Sequence, residues 1–383
     1  MKIGIPKETV AGETRVALIP SMVAPLTKKG HEVLVESGAG MAASFPDEAY
    51  TAAGATVIAD TKALYDAADI IFKVQPPQAD QGEPELIGEG KTFIGYMAPF
   101  YNAEMVKSFQ QRKVTAFSME FIPRITRAQS MDTLSSMATI AGYKAVLMAA
   151  NELGKIFPLL MTAAGTITPA NVLILGAGVA GLQAIATAKR LGARVSAFDP
   201  RPAVREQVES LGATFVEMEL PEEDVETKGG YAKAQSDLFL QKEQEAIAAR
   251  LPKIDAVITT AQIFGKAAPV LITAEMVKKM NPGSVIIDLA AENGGNCELT
   301  EAGKTVVKEN VTIIGAVNLP ATVPVHASQM YAKNIVNLFN HLYQAEDNTL
   351  DWEDEITVGA CITRDGEITN EMVKDRLSGN GGN

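Results

Sequence analysis

The chain has 383 residues, 47% of them hydrophobic, and a formal net charge of −12. That length suits two or three domains with full cores, and Gly and Pro are too sparse to indicate disorder. The acidic balance leaves no Lys/Arg excess to neutralise phosphates, which excludes a general nucleic-acid surface and a polybasic membrane anchor.

The opening Met1-Lys-Ile-Gly-Ile-Pro lacks the apolar region of a signal peptide and reads as a strand, Lys2–Ile5. Strand patterns recur at His31–Glu36, Thr56–Ile58, Ile70–Val74, Thr92–Ile94 and Thr115–Phe117. Helical patterns lie between them, at Ser21–Lys29, Asp47–Ala53, Thr61–Ala67 and Asn102–Arg112. This alternation is that of βαβ units on a parallel sheet. A long helix, Ser135–Asn151, carries the chain onward.

Ile156–Ala188 contains no charged residue and is long enough to span a bilayer. Pro158, Gly165, Pro169 and three further glycines divide it, however, and loop chemistry in lipid leaves backbone groups unsatisfied. The segment reads as an apolar hairpin or arm followed by a buried strand and a helix. Such an arm needs a partner surface, which points to a dimer.

A second alternation starts at Val172. Strands fit Val172–Leu175, Val195–Phe198, Thr214–Val216, Ala256–Thr259, Val285–Asp288 and Thr312–Gly315. A helix follows from Ser328 to Tyr343, and Ile356–Thr363 with Gly366–Thr369 reads as a last hairpin. A tail this short forms no core of its own, so it is expected to return to the first domain. The expected fold is α/β, with two Rossmann-like doubly wound parallel-sheet domains, a cleft between them and long connecting helices. Residues 1–134 with 327–383 form a discontinuous N-terminal domain, and 135–326 the nucleotide domain.

The first strand of that second domain runs into Gly176-Ala-Gly178-Val179-Ala180-Gly181, which opens an Ala-rich helix. Asp199 closes the next apolar run. This is the dinucleotide fingerprint in its required context. The glycines permit a tight turn, close approach of backbone to a pyrophosphate, and close helix–strand packing. The helix N-terminus offers N–H groups to phosphates, and the carboxylate suits a free ribose 2′-hydroxyl, favouring NAD over NADP. Neither Arg201 nor Arg205 matches a clear 2′-phosphate role.

Two loops carry further polar chemistry. Glu217–Glu226 holds six acidic residues and leads into Gly229-Gly-Tyr231. Its acidic half reads as a solvated surface loop, and the glycine pair with Tyr231 as a hinge and contact of an active-site lid. Arg124-Ile-Thr-Arg127-Ala-Gln129-Ser-Met-Asp132 precedes the long helix. Asp132 or Thr133 could cap that helix, and the same polar cluster suits an inter-domain site. Cys297 and Cys361 stand 64 residues apart, with neither metal spacing nor a disulfide framework. A reduced, cytoplasmic setting without a metal is expected.

Taken together, these motifs resemble the NAD(H)-binding component, domain I, of proton-translocating NAD(P) transhydrogenases. The residues that carry the resemblance include Pro6-Lys-Glu8, Glu13-Thr-Arg15-Val-Ala-Leu18, Phe72-Lys73-Val-Gln-Pro-Pro77, Pro123–Asp132, Met161-Thr-Ala-Ala-Gly165, the fingerprint, Gly229–Lys233 and Gly283–Cys297. The resemblance implies that Arg124, Gln129, Asp132 and Ser135 line the nicotinamide site and that Tyr231 closes over bound NAD(H). It places Gly176, Gly178, Val179, Ala180 and Gly181 at the pyrophosphate and Asp199 at the adenosine ribose. It further implies a homodimer docked on a membrane-spanning proton-channel subunit and an NADP(H)-binding subunit, hence a cytoplasmic protein peripheral to the inner membrane without inserting into it. Hydride would pass between NADH here and NADP+ on the partner.

Alanine dehydrogenases share the two-domain pattern and must be separated. Arg15 and Lys73 match the two cations that hold their oxo acid. Tyr96 stands where their acid/base histidine is expected, and Glu292 where their aspartate is. A tyrosine with a reference pKa near 10 shuttles protons poorly at neutral pH. Reducing an imino acid needs a proton, whereas exchange between nicotinamides needs positioning and exclusion of water. The alternatives are an alanine dehydrogenase-type oxidoreductase and a non-catalytic NAD(H)-sensing module.

Overall fold

In the computed structural model, residues 1–217, 236–344 and 347–378 are described. The chain divides into two compact units: Met1–Met137 with Pro320–Asn383, and Ala138–Leu319.

The first unit holds an eight-stranded sheet, in the spatial order Glu367–Ile368, Cys361–Arg364, Thr115–Ser118, Thr92–Gly95, Ile70–Phe72, Lys2–Ile5, Glu32–Glu36, Thr56–Ile58. The six strands from the N-terminal segment run parallel, and the sequence order reverses beside Lys2–Ile5. The C-terminal hairpin adds antiparallel to the edge at Thr115–Ser118. Ile3, Ile5, Ile71, Phe72, Phe93 and Phe117 are fully buried. Strands covered on both faces read as continuous apolar runs, which is why they were legible.

The tail departs from the expected strand at Ile356–Thr363. Glu355–Ala360 is a helix and only Cys361–Arg364 is strand. The Asp354 carboxylate accepts the N–H groups of Ile356 and Thr357, and this N-cap overrides the strand propensity of Ile-Thr-Val.

The second unit holds a seven-stranded sheet, in the order Thr214–Phe215, Arg194–Phe198, Asn171–Leu175, Ala256–Thr259, Val285–Asp288, Val311–Gly315, Thr305–Lys308. Every pairing is parallel except the last. Thr305–Lys308, an exposed edge strand, was not anticipated; three of its four residues are solvent-exposed, so it lacks the buried apolar run. The period-two alternation divides the core. Val172, Ile174, Ala197 and Ile258 pack on one face with Ala145, Ala184 and Ile185. Leu173, Leu175, Phe198 and Val257 pack on the other with Ile247 and Leu251. Each fully buried Val, Leu, Ile or Phe in these layers contributes about 1.5–3 kcal/mol.

The long helix spans Thr133–Glu152, beginning in the first unit and ending in the second. The later helix begins at Pro324, earlier than Ser328, because proline suits the first helical position. Leu160–Thr162 and Gly165–Ile167 form an isolated antiparallel hairpin, exposed along its length. Leu160, Met161 and Ile167 are among its exposed apolar side chains. Among the described residues, no helix is long and apolar enough to cross a membrane.

Candidate functional site

The glycine turn leaves the carboxyl end of Asn171–Leu175, where the second sheet's strand order reverses towards Ala256–Thr259. Ligands of doubly wound sheets bind at that reversal. Two of the three glycines are required by the protein itself. Gly176 has φ +94, and a Cβ there would stand 2.6 Å from Thr260 Oγ1. A Cβ on Gly181 would stand 1.9 Å from the Gly176 carbonyl oxygen. Gly178 differs: its φ is −72, and a Cβ there would meet nothing within 4 Å. Among the described residues no contact explains this glycine, and there the turn presents an open cradle of the kind a closely approaching pyrophosphate fills.

The cradle is lined by amide donors. Gly178 is the N-cap of helix Val179–Arg190 and gives no side-chain cap to its first turn. The leading N–H groups of Val179 and Ala180 have no intrahelical acceptor and sit at the positive end of the helix dipole. Val179 is 37% exposed. The long helix approaches closely behind the turn, since a Cβ on Gly142 would stand 2.1 Å from the Ala180 carbonyl oxygen. Sequence reasoning passed over Gly142, whose only signal was a glycine inside an otherwise strong helical pattern. These residues suit a dinucleotide.

Asp199 is buried at the end of Arg194–Phe198. Its Oδ2 accepts the Ala177 N–H at 2.7 Å, which ties the second strand's end to the glycine turn. Arg201 also holds it, donating from its backbone N (2.9 Å) and Nε (2.8 Å) to Oδ1 and from Nη2 (2.8 Å) to Oδ2. The carboxylate therefore organises the turn as well as lying beside it.

The polar loop belongs to the first unit. Thr126–Met131 forms a short 3-10 helix, and Asn334 and Asn337 of helix Pro324–Leu342 both donate to the Ser130 carbonyl, at 2.8 and 3.0 Å. Those two asparagines were missed because they are distant in sequence. Asp132 caps the long helix: Oδ1 accepts the Ser135 N–H at 2.8 Å, and Oδ2 accepts Ser135 Oγ–H at 2.6 Å. Thr133 is buried and donates to the Met119 carbonyl. Arg124 and Gln129 are exposed, and Asp132 and Ser135 half-buried. Arg127 is engaged elsewhere, with Asp354 at 2.6 Å and Glu355 at 3.0 Å. Tyr231 and its glycine pair lie outside the described residues.

The two cations that match the dehydrogenase pattern are both committed to carboxylates. Arg15 donates from Nε (2.8 Å) and Nη2 (2.6 Å) to Glu13. Burial alone would raise the Glu13 carboxyl, but the hydrogen bonds and charge of Arg15 hold it at about 2. Lys73 is fully buried, 2.8 Å from Glu83 Oε1 and 3.6 Å from Glu8 Oε2. Tyr96 packs edge-on against Tyr331, and burial pushes its hydroxyl well above the ordinary tyrosine range. Glu292, in the second unit, is exposed and accepts the Asn318 N–H. Among the described residues, no group of three His, Cys, Asp or Glu is arranged to hold a metal.

Comparisons with known proteins agree with this architecture. The family "Alanine dehydrogenase/PNT, N-terminal domain" matches residues 4–141, and "Alanine dehydrogenase/PNT, C-terminal domain" matches 145–371. An NAD(P) transhydrogenase subunit alpha chain of Rhodospirillum rubrum is 51% identical over 97% of this chain and 98% of its own length. The alanine dehydrogenase of Bacillus subtilis is 32% identical over 85% of this chain and 81% of its own. The crystal structure of a transhydrogenase from Sinorhizobium meliloti superposes with a TM-score of 0.85 at 41% identity, covering 97% of this chain and all of that one. With both domain families matched in order and such identity along nearly its whole length, the chain belongs to the alanine dehydrogenase/PNT family, among the NAD(P) transhydrogenase alpha subunits.

Proposed function

We propose that this chain is the NAD(H)-binding subunit of a proton-translocating transhydrogenase, passing hydride between NADH held here and NADP+ held on a partner subunit. The observation that carries the reading is Gly178, a glycine that no described neighbour requires, at the N-terminus of a helix without a side-chain cap. When bound, NADH supplies the hydride. The chain's residues bind and orient: Gly176, Gly178, Val179, Ala180 and Gly181 hold the pyrophosphate, and Asp199 sets the turn and disfavours a 2′-phosphate. Arg124, Gln129, Asp132 and Ser135 position the nicotinamide, and Tyr231 serves the lid.

The commitment of Arg15 and Lys73 to Glu13, Glu8 and Glu83, and the missing histidine at Tyr96, weigh against an oxo-acid substrate. The exposed apolar hairpin suits a second copy of the chain. The remaining partners are a membrane-spanning proton-channel subunit and an NADP(H)-binding subunit, which would hold this chain at the cytoplasmic side of the inner membrane. Proton movement belongs to the membrane partner.

The test is hydride exchange. Purified chain is mixed with a transhydrogenase NADP(H)-binding component, NADPH, NADH and an NAD+ analogue. Rapid reduction of the analogue only when both proteins are present is the expected result. NADH consumption with pyruvate and ammonia by the chain alone would move the assignment to the dehydrogenases.

A further inference from the structure

Helix Pro324–Leu342 buries Ala327, Tyr331, Leu338 and Leu342 at helical spacing, and Asn334 stands in the same stripe. Asparagine is a poor occupant of such a place. It is a weaker helix former than leucine, and burial takes its carboxamide out of water. Asn334 is 6% exposed, and its Oδ1 has no hydrogen-bond partner among the described residues. An unmatched buried amide oxygen is costly, so the residue must serve something else.

What it serves lies at the other end of the amide. Asn334 Nδ2 donates to the Ser130 carbonyl at 2.8 Å, and Asn337 Nδ2, one turn on, donates to the same oxygen at 3.0 Å. Ser130 lies in the 3-10 helix Thr126–Met131, a geometry whose weak internal hydrogen bonds sustain only short pieces. Tertiary contacts must therefore hold its shape. Ala128 and Met131 are buried, and Arg127 is tied to Asp354 and Glu355. Gln129, between buried Ala128 and the anchored Ser130, is exposed.

We propose that Asn334, supported by Asn337, is a positioning residue for hydride transfer: by holding the Ser130 carbonyl it fixes the backbone that aims Gln129 at the nicotinamide. The inference rests on the transhydrogenase reading above and adds residues that act through the loop. Misplacing a positioning group by about 1 Å can cost orders of magnitude in rate. Binding of the whole dinucleotide, spread over the glycine turn and Asp199, depends far less on that one aim.

The test combines the hydride-exchange assay with calorimetric NADH binding, on the parent chain, Asn334→Ala, Asn337→Ala and each of these combined with Gln129→Ala. Asn334→Ala should slow exchange about tenfold while NADH affinity stays within about threefold of the parent. Asn337→Ala, at a half-buried position, should slow it about threefold. In the Gln129→Ala background either substitution should add less than about twofold, because residues acting through one another are not additive. A merely structural role would give the same penalty in both backgrounds, and that result would overturn the proposal, as would equal losses of rate and affinity or exchange at the parent's rate. Should Asn334→Ala fail to fold, Asn337→Ala decides by the same criteria. If the parent chain gives no exchange, the transhydrogenase reading falls, and this assignment with it.

Discussion

The Asp199 Oδ2 accepts the Ala177 N–H at 2.7 Å, so one buried carboxylate at the end of one strand fixes the glycine turn at the end of its neighbour. Asp199→Ala should therefore do two things. It should lower stability by about 1–3 kcal/mol, because a buried amide and guanidinium lose their acceptor. It should also weaken NADH and narrow the preference over NADPH. Urea unfolding with calorimetric titration of both nucleotides checks this; full stability with weakened binding would mean that Asp199 does not hold the turn.

The three glycines should separate by mutation. Gly178→Ala has room for its Cβ and a permitted φ. It should cost less than about 1 kcal/mol of stability, since glycine itself is a good helix cap, yet lower NADH affinity at least tenfold. Gly181→Ala would place its Cβ 1.9 Å from a carbonyl oxygen and should destabilise the fold outright. A Gly178→Ala variant that binds NADH like the parent would refute the cradle.

Within the polar loop, cap and contact should behave differently. Asp132→Ala removes the acceptor of Ser135 N–H and should cost about 1 kcal/mol in urea unfolding. Gln129→Ala lies on an exposed position and should leave stability unchanged, while slowing hydride exchange more than it weakens NADH binding. Equal losses of rate and affinity for Gln129→Ala would reduce its role to simple binding.

Lys73→Met should be a stability variant. It would leave Glu8 and Glu83 buried without their cation, a loss of about 3–5 kcal/mol. Unfolding midpoints should fall steeply while NADH affinity in the folded fraction is kept. A variant of normal stability would return Lys73 to the ligand-binding groups.

Glu243, buried on helix Asp237–Ala248, gives a pH signature with a definite sign. Burial, and then the Asp199 charge, raise its folded value to about 8, while an unfolded glutamate titrates near 4.3. Above about 4.3 the unfolded chain gains a charge that the folded chain refuses, so this group's favourable contribution is present in acid and is lost as pH rises towards about 8. The stability advantage of Glu243→Gln over the parent should thus grow between about pH 5 and 8 and then level off. An advantage independent of pH would mean that the carboxyl titrates normally.

The features legible in the sequence were those governed by local chemistry. Continuous apolar runs such as Val172–Leu175 marked doubly covered strands, Gly176, Gly178 and Gly181 marked the turn, and Asp132 carries helix-start chemistry. The strand pattern at Ile356–Thr363 misled, because the deciding interaction was one N-cap at Asp354. The sequence alone determined that a strand, a glycine turn, a helix and an acid stand in the order a dinucleotide requires. Only the tertiary structure decided which glycine no described neighbour requires, that Asp199 accepts from Ala177 and Arg201, that Arg15 and Lys73 are committed to carboxylates, and that Glu243 has an oxygen without a partner among the described residues. The physical reason is that hydrogen bonding, desolvation and close packing depend on groups brought together from distant positions, which periodicity and local propensity cannot register.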